Sequence, residues 1–201
     1  MTARTSFARA IRIALPLALL APLAACGVNT IPAKEETAKA KWADVESAYQ
    51  RRADLIPNLV ATVKGYAKQE KDVLVEVTNA RARATSITVD PTKLSDPAAV
   101  ASFDQAQTAL SGSLGRLLVS VEKYPDLKSN EQFLNLQSQI EGTENRINVT
   151  RKDYNEAVRD YNTEIRTFPS VIGAKVIYGS KPLQPFKATT PGAQNAPTVA
   201  F

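Results

Sequence analysis

Residues 42–66 read WADVESAYQRRADLIPNLVATVKGY. Trp42, Val45, Tyr49, Ile56, Leu59, Val63 and Tyr66 recur in this stretch at helical steps of three and four, which puts them on one stripe of an α-helix with a period near 3.5. No sustained alternation of period two is present, so a half-buried strand does not fit. The stripe extends back to Ala38 and forward through Val73, Val77, Ala80, Ala84 and Ile87, and only Arg52 and Glu70 interrupt it. This predicts a helical segment from about Pro32 to Thr88. Pro57 lies inside it. Proline has no N–H to donate and crowds the carbonyl four residues back, here Ala53, so a kink or a gap in the hydrogen bonds is expected at that point.

Two further segments are marked by their caps and stripes. Asp96-Pro97 offers an N-cap and a proline at the first helical position. After it Ala99, Phe103, Ala106, Leu110, Leu114 (with Ser113), Leu117 and Val121 form a second stripe. Ser129-Asn130-Glu131-Gln132 fits a capping box. It opens a third stripe through Phe133, Gln137, Ile140, Glu144, Ile147, Arg151, Tyr154, Val158, Tyr161, Ile165 and Phe168. Short loops between such segments predict an all-α, antiparallel up-and-down bundle of three to four helices with left-handed crossings near ~20°. The segments are unequal, roughly 85, 40 and 60 Å long at 1.5 Å per residue. The first therefore overhangs the others or folds back at Pro57, and a fold-back there gives the fourth helix.

Polar residues at stripe positions are the candidates for special roles. Arg52, Glu70, Gln137, Glu144 and Arg151 either reach solvent at a bundle edge or form an interhelical network that fixes register. Counting along straight helices sets Arg151 near residue 81 and Glu144 near residue 74, and makes Glu70 with Arg151 the expected ion pair. Arg51, Arg52, Asp54, Pro57 and Asn58 crowd into eight residues. They read as a kink sealed by its own polar groups, with Asn58 or Arg52 serving the freed carbonyl beside the Tyr124–Lys128 turn, or as a docking surface.

Composition removes whole classes of chemistry. The chain of 201 residues contains no histidine and one cysteine, which excludes internal disulfides, histidine-based triads and His/Cys metal sites. The di-metal bundle motif Glu-x-x-His is excluded too. No cofactor site is expected. Lys and Arg number 25 against 20 Asp and Glu, but Arg4, Arg9 and Arg12 precede residue 26 with no acid among them. The chain from residue 26 onward carries 22 against 20, with the signs interleaved, a poor match to nucleic acid.

The first 25 residues have the form of an export signal. Three arginines are followed by IALPLALLAPLAA at 13–25, an apolar run too short to cross a hydrocarbon core of ~30 Å. Leu23-Ala24-Ala25-Cys26 resembles the lipobox of bacterial lipoproteins, in which the cysteine is diacylated and becomes the N-terminus. Two acyl chains are enough for stable anchoring. Gly27 after the cysteine is similar to lipoproteins sorted to an outer membrane. The expected organisation is a signal peptide over 1–25, a lipidated Cys26 with a short tether over 26–31, the bundle over 32–168, and a Pro-rich extension over 169–201 that is disordered from about Lys187.

Arg51-Arg52-Ala53-Asp54-Leu55-Ile56-Pro57-Asn58-Leu59-Val60 resembles the LemA family of bacterial envelope proteins. Tyr124-Pro125-Asp126-Leu127-Lys128, Thr143-Glu144-Asn145-Arg146-Ile147, Tyr154-Asn155 and Tyr161-Asn162 are similar to the same family. The resemblance covers about residues 28–187 and implies a long-helix four-helix bundle, a membrane-tethered envelope protein and no established catalytic activity. Many members keep a spanning N-terminal helix where this chain has a lipobox. Three readings of function result: a lipid-anchored scaffold or adaptor for an envelope protein partner, a binder of peptidoglycan or lipid headgroups, and a carboxylate-dependent envelope hydrolase. The first is the expectation, with the chain facing the periplasm of an outer membrane where the host has one.

Overall fold

The computed structural model describes residues 29–67 and 69–187. The residues expected to form a signal peptide, Cys26 and the residues from 188 onward lie outside the described residues. The fold is all-α. Helix α1 spans Thr30–Tyr66 and α2 Lys71–Ser86. A 3₁₀ turn at Pro91–Lys93 leads to α3, Pro97–Val121. The four-residue α4, Pro125–Lys128, precedes α5, Glu131–Glu164. Finally α6, Ser170–Gly173, continues into a π-helical turn, Ala174–Tyr178, ended by Gly179 at φ +58, a backbone conformation that glycine adopts without strain. The helices number six among the described residues, against the expected three to four, because short helical turns sit in the connections.

The first segment is not one helix. It reverses at Ala67–Glu70, where the Glu70 N–H donates to the Ala67 carbonyl at 3.2 Å. Residues 68–72 read KQEKD and offer nothing to bury. A helix held by its apolar stripe has no reason to cross that gap. At Pro57, by contrast, α1 runs on without interruption. The carbonyl of Ala53, which Pro57 leaves without its donor, accepts instead from Nε of Arg81 on α2 at 2.8 Å. Neither Asn58 nor Arg52 serves it. Asn58 is exposed, and Arg52 is engaged elsewhere.

The chain forms two compact units. The larger comprises Lys41–Asn155 and the residues from Gln184. Its four long helical stretches run alternately up and down. Arg81 binds at Ala53, Glu76 pairs with Arg116, Gln107 reaches the Ala84 carbonyl, and Arg52 meets Glu144. In each helix pair the residue numbers climb in opposite directions. Ile56, Leu59, Val63, Leu74, Val77, Leu110, Leu117, Phe133 and Ile140 fill one continuous core. A second cluster is aromatic: Trp42 lies 5.2 Å from Phe103 and Tyr154 and stacks on Phe186 at 5.4 Å. Asp96 caps α3 as expected, accepting from the Ala98 N–H at 2.9 Å. The cap of α5 is Asn130, not Ser129: its Oδ1 accepts from the Phe133 N–H at 3.0 Å.

The smaller unit comprises the residues up to Ala40 together with Glu156–Leu183. Ile31, Ala38, Val158, Tyr161, Ile165, Ala174 and Leu183 are buried. One carboxylate ties its helix ends. Glu164 accepts from Thr30 Oγ1 at 2.8 Å, Lys34 Nζ at 2.6 Å and Ser170 Oγ at 2.5 Å. Phe168, expected in the third stripe, is 76% exposed: α5 ends at Glu164, and Ile165 is the last stripe residue that is buried. Tyr66 likewise points outward, at the end of α1.

Candidate functional site

The five residues of the Arg51–Asn58 group separate in space. Arg51, Asp54, Pro57 and Asn58 are exposed, and Asp54 accepts from Gln50 one turn back at 2.7 Å. Arg52 is 1% exposed. The stripe period decides this: Arg52 stands between Tyr49 and Ile56 on the buried face, and its neighbours do not.

Around Arg52 lies a polar layer in the larger unit. Its Nη1 donates to Ser111 Oγ and Glu144 Oε1, both at 2.6 Å. Its Nη2 donates to Gln107 Oε1 at 2.9 Å and to the Gln107 carbonyl at 3.2 Å. The Tyr49 ring covers the guanidinium at 5.0 Å. Gln107 passes the connection on, since its Nε2 donates to the Ala84 carbonyl near the end of α2 at 3.2 Å. One buried cation thus links α1, α3 and α5, and through Gln107 also α2. Arg52 Nε is buried without a partner.

A second guanidinium lies beside the first. Arg151 Nη1 donates to Asp104 Oδ1 at 2.7 Å and to the Tyr49 hydroxyl at 2.9 Å, while the group sits 4.3 Å over the Phe186 ring. Burial pushes the Tyr49 phenol above its ordinary range, against the pull of Arg151 and Arg52. Tyr49 and Arg52 of α1, Gln107 and Ser111 of α3, and Glu144 and Arg151 of α5 line a recess of about 130 Å³. Glu144 is bound to Arg52 and Asp104 to Arg151. The arrangement acts as a clamp that fixes the level of one helix against the next.

Glu70, Glu144 and Arg151 therefore do not form one network. The expected Glu70–Arg151 pair is replaced by Arg151–Asp104, and Glu70 accepts from the Tyr124 hydroxyl at 3.1 Å. The level count failed because it assumed a straight first helix. The reversal at Ala67–Glu70 sets the Tyr124–Lys128 turn beside that reversal rather than beside Pro57, and brings Glu144 to residue 52 instead of 74. Gln107, Ser111, Asp104 and Arg81 carry no sequence signal of their own. Gln107 is buried where an apolar reading chose Ala106, and Ser113 is buried beside Leu114 in the stripe. Thr143 is buried beside Glu144 in the same way, its hydroxyl returned to the Ile140 carbonyl at 2.7 Å.

Two Tyr-Asn pairs, seven residues apart on α5, have a matching division of labour. The tyrosines are buried. In the larger unit Asn155 grips Phe186, accepting from its N–H at 2.8 Å and donating to its carbonyl at 3.1 Å. In the smaller unit Asn162 grips Leu183 by the same two bonds, both 2.9 Å.

The model of the LemA family matches residues 41–201, four-fifths of the chain. The chain belongs to the LemA family. A protein named LemA from Metamycoplasma hominis is 27% identical over 103 residues, a stretch covering 51% of this chain and 43% of that protein. In this LemA chain two of the strings that carry the resemblance meet in space: Arg52 of RRADLIPNLV is bonded to Glu144 of TENRI. Among the described residues no group of three or more His, Cys, Asp or Glu is arranged to hold a metal ion.

Proposed function

We propose that this LemA chain is a non-catalytic, lipid-anchored helical scaffold of the bacterial envelope that holds a protein partner beside a membrane. The observation that carries the reading is the position of Cys26. It ends an export-type leader in a lipobox-like Leu-Ala-Ala-Cys and stands four residues before α1 begins at Thr30. Four residues of chain reach at most about 14 Å, so acyl chains on Cys26 hold the smaller unit at the bilayer. No described helix is long and apolar enough to cross a membrane, and in this reading the acyl chains are the anchor. Gly27 favours an outer membrane in a host that has one. The polar clamp supports a structural role, because its cations and carboxylates are bound to each other within the fold.

Growth with a palmitate analogue tests the anchor. Label on the protein, lost in Cys26→Ala together with membrane retention, is the expected result, and an unlabelled wild-type protein rejects it. Crosslinking in intact cells tests the scaffold. Recovery of one envelope protein, weakened by Arg51→Glu or Asn58→Asp on the exposed face of α1, is expected. Arg52 variants are unsuited to that experiment because Arg52 lies inside the fold.

A further inference from the structure

The smaller unit exposes apolar side chains that its fold does not use. Phe168 is 76% exposed and Val176 78%, and Ile172 and Ile177 are each more than half exposed. Ile172 lies one turn from Val176 and Ile177, so the three share a face of the short α6 and its π-helical continuation. Tyr178 adds an exposed ring at the end of that face. Scattered surface apolar residues are ordinary, but a cluster of this kind marks a contact.

Charge narrows what the contact is. From Ile165 to Lys187 the chain carries Arg166, Lys175, Lys181 and Lys187 and no acidic residue. All four are exposed; the first three belong to the smaller unit, and Lys175 lies in the same π-helical turn as Val176 and Ile177. Apolar and aromatic side chains rimmed by cations suit the headgroup boundary of an anionic bilayer. The position agrees. Glu164 holds Ser170, at the start of α6, and Thr30, at the start of α1, on one carboxylate oxygen. The element that carries the face therefore begins beside the residue that comes four after Cys26.

We infer that Phe168, Ile172, Val176, Ile177 and Tyr178 enter the membrane interface as a second, non-covalent contact beside the lipid anchor. The placement rests on the reading of Cys26 as acylated. Insertion of a surface element reaches ~5–10 Å into the headgroup and acyl boundary. Arg166, Lys175 and Lys181 then face anionic headgroups.

The test uses full-length protein processed and purified from membranes, carrying Val176→Trp, in phosphatidylethanolamine–phosphatidylglycerol vesicles doped with nitroxide-labelled lipid. The native Trp42 is buried in the core and supplies an internal reference. The introduced indole is expected to lose emission to shallow nitroxides, being within the headgroup boundary, and to recover it when Ile172→Asp and Ile177→Asp are added. The mass of the N-terminal peptide reports acylation separately. Acylated, vesicle-bound protein whose introduced indole stays unquenched overturns the inference and leaves the anchor standing, whether water or a second copy covers the face. Quenching in protein without acyl chains supports the inference and removes the anchor reading. Protein that does not bind vesicles at all removes both.

Discussion

Arg52 is bound by groups of very different exposure, and that decides what its loss costs. Glu144 keeps 39% of its side-chain surface in water, so it can be rehydrated if its partner goes. Gln107 is buried and cannot. Breaking a fully buried pair costs about 3–5 kcal/mol, and exposed pairs contribute ~0–1. Arg52→Met, which keeps the packing volume, is expected to destabilise by about 2–4 kcal/mol, and Glu144→Gln by about 1 or less. Urea titration gives both values, and equal losses would assign the clamp to the ion pair instead of to Gln107. Glu164 is a second residue-level case. Lys34, then Ser170 and Thr30, hold its carboxyl at about 2, below the ordinary 4.5. A depressed acid contributes stability above its unfolded pKa and loses it as pH falls through the folded one. The contacts of Glu164 should therefore weaken between pH ~5 and ~2. The protection of the α6 amides, taken relative to intrinsic exchange at each pH, should fall over that window in the wild type and change little with pH in Glu164→Gln.

At the scale of elements, the helices were legible and their joints were not. The stripes of α1, α3 and α5 follow from period and from caps such as Asp96-Pro97. The reversal at Ala67–Glu70 was hidden because the stripe resumes in phase at Val73, so periodicity alone bridges KQEKD. Pro57 is the stronger local signal, yet α1 passes through it, because a neighbouring helix supplies what proline lacks. That substitution is testable as a cycle. Arg81→Met leaves the Ala53 carbonyl without a donor and should cost about 1–2 kcal/mol. In Pro57→Ala the restored N–H can serve that carbonyl, and the same Arg81→Met change should cost less by about 1 kcal/mol or more. Equal costs in the two backgrounds would mean that Arg81 acts by packing and not by capping the carbonyl.

At the scale of the whole molecule, the all-α architecture and a family resemblance over about residues 28–187 were readable, but the role of the Pro-rich extension was not. Leu183–Phe186 has no period, and its partners are side-chain amides 21 and 31 residues back in sequence. Those amides were visible as repeated Tyr-Asn pairs without any sign of what they hold. In the larger unit the extension is part of the core. Phe186 is buried against Trp42, Tyr154 and Arg151, and Gln184 lies between the Leu94 carbonyl, which accepts its N–H at 2.9 Å, and the Tyr154 hydroxyl, which donates to its carbonyl at 2.9 Å. Phe186→Ala removes the ring that stacks on Trp42 and opens a cavity, which for such a change costs about 3–5 kcal/mol. Asn155→Ala leaves the ring in place but frees its backbone, and should cost about 1–2 kcal/mol. Trp42 is the one tryptophan of the chain, so its emission reads the cluster directly. Phe186→Ala should shift that emission to the red in the folded protein and lower the urea midpoint. Asn155→Ala should lower the midpoint with a smaller shift. Unchanged emission in Phe186→Ala at full helicity would show that the bundle seals its aromatic cluster without the extension, which would then be an appendage and not part of the fold.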